Sequence, residues 1–133
     1  MLDLRRPVLA LLLVVAATAA EDARALMLQA RALQLRGGGA DPVAAAAIYR
    51  RVLTQLPLSA EAHLRLSEAL QEAQDPDGAV APARKAVELA PQSAEAQAHL
   101  ALLQFQRSQK NVASNVAGVL LDKPLVARCR MIG

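Results

Sequence analysis

The chain has 133 residues, of which 54% are hydrophobic and only 2% are aromatic, and its formal net charge is +3. Basic and acidic side chains are interspersed, and the sequence has neither a basic block nor a set of aromatic side chains for base stacking, which argues against nucleic acid as a partner. Much of the hydrophobic content is alanine, and β-branched runs are missing beyond the N-terminus. This composition predicts an all-α protein with one modest domain.

Residues 1–20 differ in composition from everything that follows them. Two arginines precede an uncharged apolar run over residues 7–17, and small residues then lead into an acidic pair. This order is typical of a secretory signal peptide, here cleaved after Ala19 or Ala20. The run is short for a bilayer core of about 30 Å, which takes roughly 20 residues to cross. We therefore expect an exported, periplasmic protein, with an uncleaved inner-membrane anchor or an ordinary buried helix as alternatives.

The chain contains one cysteine, Cys129, close to its C-terminal end. One cysteine cannot form an internal disulfide, so folding depends on packing alone. Its thiol is either an incidental part of the tail or, in an oxidising compartment, the source of an intermolecular disulfide.

A short phrase occurs twice at an interval of 34 residues, as PLSAEA at 57–62 and PQSAEA at 91–96. Each copy has a proline that stops one helix, a serine that can cap the next helix, and an acid in the first turn of that helix. An Asp-Pro pair recurs at the same interval, at 41–42 and 75–76. A fixed period of this length indicates a stacked array of helical repeats.

The first two predicted helices are separated by the three glycines at 37–39, which end a helix because glycine has low helix propensity. The first helix runs from about residue 21 to residue 36. Apolar residues at helical spacing share one of its sides: Ala25, Leu28, Ala32 and Leu35. The second helix begins with Asp41 as its cap and ends before Pro57. Its apolar positions are Ala45, Ile48, Tyr49, Val52, Leu53 and Leu56.

The third and fourth predicted helices lie between the two copies of the repeated phrase. The third follows Ser59, and its packing face consists of Ala62, Leu66, Ala69, Leu70 and Ala73. A break over residues 75–78 separates it from the fourth helix, which stops before Pro91. The face of the fourth helix consists of Ala79, Val80, Ala83, Ala86, Val87 and Leu89.

A third pair of helices is predicted from Ser93 onward, with a turn near residues 108–111. Its first helix carries Leu100, Ala101, Leu103 and Phe105, and its second carries Val112, Ala113, Val116, Ala117, Leu120 and Leu121. After Pro124 the sequence has no clear pattern.

The chain resembles the tetratricopeptide repeat proteins, in which a 34-residue unit is an antiparallel helix pair with small residues where the helices touch and a proline at its end. The middle unit carries most of this resemblance, through Leu66, Ser67, Leu70, Ala79, Ala83, Ala86 and Pro91. The units on either side match in part, through Ala45, Tyr49, Val52 and Pro57, and through Leu100, Ala101, Ala113, Ala117 and Leu120. The large aromatic residue usual early in the first helix of a unit is replaced by His63 and Gln97.

The resemblance implies an all-α, superhelical array of about three antiparallel helix pairs. The predicted organisation is a signal peptide or anchor over 1–20, a repeat domain over 21–125 with units at about 22–57, 58–91 and 92–124, and an unpatterned tail over 126–133.

In such an array the first helices of the pairs line a concave groove that suits an extended peptide or a partner helix. The resemblance implies that this groove is lined by Glu61, Leu64, Glu68, Gln71, Glu72, Glu95, Ala98, Leu102 and Phe105. Acids alternate with apolar residues in this set, so we expect a neutral or basic partner segment with apolar anchors. The alternative is that the charges only form a solvated helix face.

No set of residues in the sequence predicts catalysis, a metal site or a cofactor. His63 and His99 fall in different units, and the sequence has no pair of cysteines and no acid cluster at metal-binding spacing. Serines such as Ser67 are explained by packing or by helix capping. The glycines at 37–39 lack the lysine of a phosphate loop.

The sequence therefore predicts a noncatalytic adaptor or assembly factor of the bacterial cell envelope, with another protein or a peptide as its partner. One alternative is a membrane-tethered scaffold, in which the membrane is contacted only through an uncleaved N-terminus. Another is a self-associating scaffold in which a second copy covers the apolar end near Val116, Leu120 and Leu121.

Overall fold

The computed structural model describes residues 5–36 and 41–120, which form five α-helices and contain no strand. The helices are α1 (Arg5–Arg36), α2 (Asp41–Gln55), α3 (Ala60–Glu72), α4 (Pro76–Leu89) and α5 (Ala94–Leu120). The prediction of an all-α protein is confirmed for this part of the chain. The predictions made for the glycines at 37–39, for Leu121, for Pro124, for Cys129 and for the tail lie outside the described residues.

The turns that lead into α3 and α5 repeat the same capping bond. Ser59 Oγ accepts a hydrogen bond from the backbone N–H of Ala62 at 3.2 Å, and Ser93 Oγ accepts one from the N–H of Ala96 at 3.3 Å. A serine in this position satisfies an N–H group that has no partner within its own helix. The caps predicted from the repeated phrase are thus confirmed.

A second bond is also repeated in these turns, and the sequence did not reveal it. His63 Nε2 lies 3.0 Å from the carbonyl oxygen of Pro57, and Gln97 Nε2 donates to the carbonyl oxygen of Pro91 at 2.6 Å. Because a carbonyl oxygen only accepts, the His63 ring carries its proton on Nε2. His63 and Gln97, which replace the expected aromatic residue, therefore connect α3 and α5 to the turns that precede them.

The turn between α3 and α4 is closed by a residue with positive φ. Gln74 has φ of 65°, and the N–H of Asp75 donates to the carbonyl of Leu70 at 2.9 Å, as in a Schellman C-cap. The carboxylate of Asp75 then accepts from the N–H of Gly78 at 2.9 Å and caps α4. A Cβ atom at Gly78 would overlap that carboxylate, so a larger residue here would force the Asp75 side chain out of its capping position.

Each helix packs against the next one along the chain, and the core between them is built mainly from alanine. The largest cluster consists of Ala30, Ala45, Ala46, Tyr49, Leu66, Ala69, Leu70, Ala79, Val80, Ala83 and Leu103. Small side chains allow helix axes to approach to about 8 Å. The seam expected between α3 and α4 is present, since Ser67 Oγ donates to the carbonyl of Ala79 at 2.7 Å.

The packing side of α1 differs from the side that the sequence pattern marked. Leu28 and Leu35 are 73% and 77% exposed, whereas Ala23 and Ala30 are completely buried. Leu26, Met27 and Leu33 pack beside the buried alanines. Alanine and leucine occur on all sides of α1, so that two stripes have helical spacing, and contact with α2 selects the other one.

The turn expected near residues 108–111 does not form, because α5 is continuous from Ala94 to Leu120. That stretch reads Ser-Gln-Lys-Asn and contains neither glycine nor proline, so nothing in it stops a helix. The described chain thus has two helix pairs, α1–α2 and α3–α4, followed by one long helix rather than by a third pair. Every side chain from Arg107 to Leu120 is exposed.

The segment predicted as a signal peptide forms the first half of α1, which begins at Arg5. All side chains from Arg5 to Val15 are exposed, and Ala23 is the first buried residue among the described side chains of this helix. None of the five described helices combines the length and the hydropathy that crossing a bilayer requires.

Candidate protein-interaction face

Side chains of α1, α3 and α5 meet across one face of the molecule. From α1 to α3, Gln34 Nε2 donates to Glu72 Oε2 at 3.3 Å. From α3 to α5, Gln71 Nε2 donates to Gln106 Oε1 at 3.1 Å. We name this surface the odd-helix face and define it as Arg24, Leu28, Arg31, Gln34, Glu61, Arg65, Glu68, Gln71, Glu72, Glu95, Ala98, Leu102 and Phe105.

Eight of the nine residues predicted to line a groove are at least partly exposed: Glu61, Glu68, Gln71, Glu72, Glu95, Ala98, Leu102 and Phe105. Ala98 and Leu102 follow Glu95 by three and seven residues, a spacing that places them on adjoining parts of one helix side. The ninth, Leu64, is buried against Ala86 and Ala96.

An ion-pair network in the middle of the face joins all three odd helices. Arg65 Nη1 lies 2.9 Å from Glu68 Oε2 and 3.0 Å from Glu95 Oε1, and Arg31 Nη1 lies 3.7 Å from Glu68 Oε2. Burial lowers the pKa of Arg65, but the hydrogen bond and charge of Glu68, aided by Glu95, outweigh that effect and raise it. Glu68 and Glu95 therefore share Arg65 as a partner, and the Glu95 side chain is still 59% exposed.

Two consecutive hydrogen bonds connect the buried core to the α1 side of the face. Tyr49 is buried, and its hydroxyl donates to Gln34 Oε1 at 2.8 Å, which leaves the amide of Gln34 to donate to Glu72. Burial is the main cause of the raised pKa of Tyr49. The hydroxyl therefore keeps its proton and holds Gln34 in one orientation.

Ser67 and His99 form a contact that the sequence did not reveal, because they lie 32 residues apart. Ser67 Oγ is 2.9 Å from His99 Nε2 and also donates its one proton to the carbonyl of Ala79. His99 Nε2 must then donate to Ser67. Ser67 is completely buried, so this serine–histidine pair joins α3, α4 and α5 and does not present a nucleophile to a substrate.

Burial of His99 lowers the pKa of its imidazole, although the charges of Glu68 and Glu95 oppose this effect. The neutral ring is therefore the form that the folded state favours.

Two clefts lie side by side on the odd-helix face and share Glu61 and Arg65. The α1–α3 cleft has a volume of about 370 Å³ and is lined by Arg24, Met27, Leu28, Arg31, Tyr49, Glu61 and Arg65. The α3–α5 cleft has a volume of about 300 Å³ and is lined by Ala60, Glu61, Leu64, Arg65, Ala90, Ser93, Glu95 and Ala96. The two clefts adjoin at Glu61 and Arg65 of α3.

No residue of α1 was among those predicted to line the groove. Arg24, Leu28 and Arg31 lie on the side of α1 that is not packed against α2, whereas the sequence pattern had marked the side with Leu28 for packing. Among the described residues, no group of three or more histidine, cysteine, aspartate or glutamate side chains could hold a metal ion.

The described part of the chain is an all-α array in which each helix packs against the next one, and side chains of α1, α3 and α5 share the odd-helix face. Comparison with protein-family models and with curated proteins finds no match to this chain. Its function is therefore inferred from the face and the clefts.

Proposed function

We propose that this chain is a noncatalytic tetratricopeptide-type adaptor or assembly factor of the bacterial cell envelope, which holds a peptide or a helix of another protein on its odd-helix face. The observation that carries this proposal is the pair of contiguous clefts across α1, α3 and α5. Clefts that run across several elements suit a chain segment better than a compact ligand.

Two further observations support the tetratricopeptide part of the proposal. The cap and the side-chain bond to proline recur at the 34-residue interval, at Ser59 and His63 and again at Ser93 and Gln97. The small residues of the middle unit also lie where the resemblance expects them, in the seam between α3 and α4. Repeats of this kind usually bind their partners on the face of the first helices.

Paired substitutions on the outer edge of the face test the proposal. Leu102 and Phe105 are 46% and 60% exposed, so replacing both by glutamate changes the face without opening the core. We expect the full chain to lose partner binding with this double variant and to keep it with Val43→Glu, a matched change on α2. Equal binding by both variants, measured by calorimetry with a partner captured from the native cells, would contradict the assignment of this face.

We further propose that the protein is exported to the periplasm. In the described part of residues 1–20 no side chain is fully buried, so cleavage after Ala19 or Ala20 would leave the core intact. The intact mass of the exported chain is expected to be lower by the mass of about twenty residues. An unchanged mass together with membrane fractionation would favour the alternative, a tether formed by the apolar half of α1.

A self-associating scaffold is the second candidate, and the far half of α5 favours it. Val116, Val119 and Leu120 are all more than half exposed and, with Asn115, line a cleft of about 260 Å³. Exposed apolar clusters of this kind often mark interfaces. Light scattering would detect a dimer that Val116→Glu converts to a monomer; a monomeric wild type at high concentration excludes this candidate.

A further inference from the structure

The two clefts of the odd-helix face differ in charge. Three arginines and one glutamate line the α1–α3 cleft, whereas Glu61 and Glu95 oppose the single Arg65 in the α3–α5 cleft. Acids alternating with apolar residues were expected on this face, from residues of α3 and α5 alone. The α1 side of the face therefore has the opposite charge to the one expected.

The guanidinium groups of Arg24 and Arg31 on α1 have N–H donors that are not used in hydrogen bonds among the described residues. Arg24 makes no hydrogen bond or ion pair within the described part of the chain, and Arg31 makes only the 3.7 Å ion pair with Glu68, which is longer than a hydrogen bond. Arg65, by contrast, is held at hydrogen-bond distance by two carboxylates. A guanidinium group presents five N–H donors in a fixed fork that fits carboxylates well.

An apolar patch lies between these two arginines. Leu28 is one turn from each of them on α1 and is 73% exposed, while Met27 and Tyr49 form the inner lining of the same cleft. Arg24 and Arg31 are seven residues apart, which corresponds to about 10.5 Å along the helix. In an extended segment that distance is spanned by about three residues.

We propose that the α1–α3 cleft binds a peptide segment in which acidic residues flank an apolar anchor. The carboxylates pair with Arg24 and Arg31, and the anchor covers Leu28 and Met27. Glu61, on the opposite side of the cleft, disfavours a further acid there and so helps to set the position of the segment. This inference rests on the proposed binding function of the odd-helix face and specifies the chemistry of the partner at one end of it.

Fluorescence anisotropy with three pools of labelled 12-residue peptides tests the inference. The pools share their apolar positions and carry Asp/Glu, Asn/Gln or Lys/Arg at the others, and both peptide termini are blocked. We expect the full chain to bind the acidic pool more tightly than the basic pool. Arg24→Glu should weaken binding of the acidic pool about fivefold or more, since an attraction becomes a repulsion.

Arg84→Glu is the matched control, because Arg84 is exposed on α4 and forms no ion pair among the described residues. It should leave binding within twofold of the wild type. Equal losses in both variants would indicate general charge attraction and overturn the site. Tighter binding of the neutral or basic pool, abolished by Leu102→Glu, would refute this inference and leave the proposed function standing. Failure of all three pools to bind would count against both.

Discussion

Replacing Ala83 by leucine probes the close contact between α3 and α4. Ala83 is completely buried and shares a cluster with Leu66, Leu70 and Ala79. Helix axes approach to about 8 Å only where side chains are short, so an isobutyl group in place of a methyl group must displace a helix or adopt a strained rotamer. Overpacking of this kind costs about 1–3 kcal/mol.

That loss is a large fraction of the stability of a domain of this size, which is about 5–15 kcal/mol. Each kcal/mol lowers the Tm by about 4–8 °C for a domain of 60–100 residues. Ala83→Arg adds the burial of a charge, and we expect it to abolish cooperative unfolding.

The measurement is thermal and urea denaturation followed by the helical circular dichroism signal. Ala81→Leu is the matched control, since Ala81 is exposed on the same helix and its replacement should change stability by less than about 0.5 kcal/mol. If Ala83→Leu unfolds at the same temperature as Ala81→Leu, the proposed closeness of α3 and α4 is wrong.

Three further predictions concern the turns and the polar contacts. Gln74→Gly should raise the free energy of unfolding by about 1 kcal/mol in urea denaturation, because glycine adopts positive φ without steric cost. Ser67→Ala should lower it by about 1–3 kcal/mol by the same measurement, because the N–H of His99 loses its buried acceptor. As the pH falls below about 6.5 the wild type should lose stability, because the unfolded chain binds a proton at His99 more readily than the folded chain does; urea titrations should show no such slope in His99→Gln.

Each of these predictions has its own control. Gln74→Ala cannot relieve the positive φ, so an equal gain in that variant would contradict the explanation for Gln74→Gly. Ser108→Ala removes a hydroxyl that bonds only locally on the surface of α5, and it should have little effect. The pH series stays above 5.5, because carboxylates titrate near 4. A slope that persists in His99→Gln would assign the effect to other groups.

The sequence alone was sufficient to predict the features that depend on neighbours a few residues away. The caps at Ser59 and Ser93 form as predicted, and α2, α3 and α4 begin and end close to their predicted limits. Such features are local because a capping side chain bonds an N–H only three residues ahead of it. The buried alanines of α3 and α4 were also predicted, because each helix has one clear apolar stripe.

Part of the candidate face followed from the sequence through the resemblance, which supplied the contributions of α3 and α5. The contribution of α1 did not follow, since Arg24 and Arg31 flank Leu28 on the side of that helix that the pattern marked for packing. The contacts of Arg65 with Glu95 and of Ser67 with His99 join residues about 30 positions apart. Sequence spacing carries no information about such pairs unless the arrangement of the helices is already known.

The sequence by itself determined that this chain is helical, where α3 and α5 are capped, and that the turns before these two helices repeat each other 34 residues apart. Tertiary structure decided which stripe of α1 is buried, since Ala23 and Ala30 fit against α2 while Leu28 and Leu35 stay outside. It also decided the charge of the α1–α3 cleft. Local hydrogen bonds fix a helix and its ends, but only the surface of the neighbouring helix determines which side of it becomes core and which remains open for a partner.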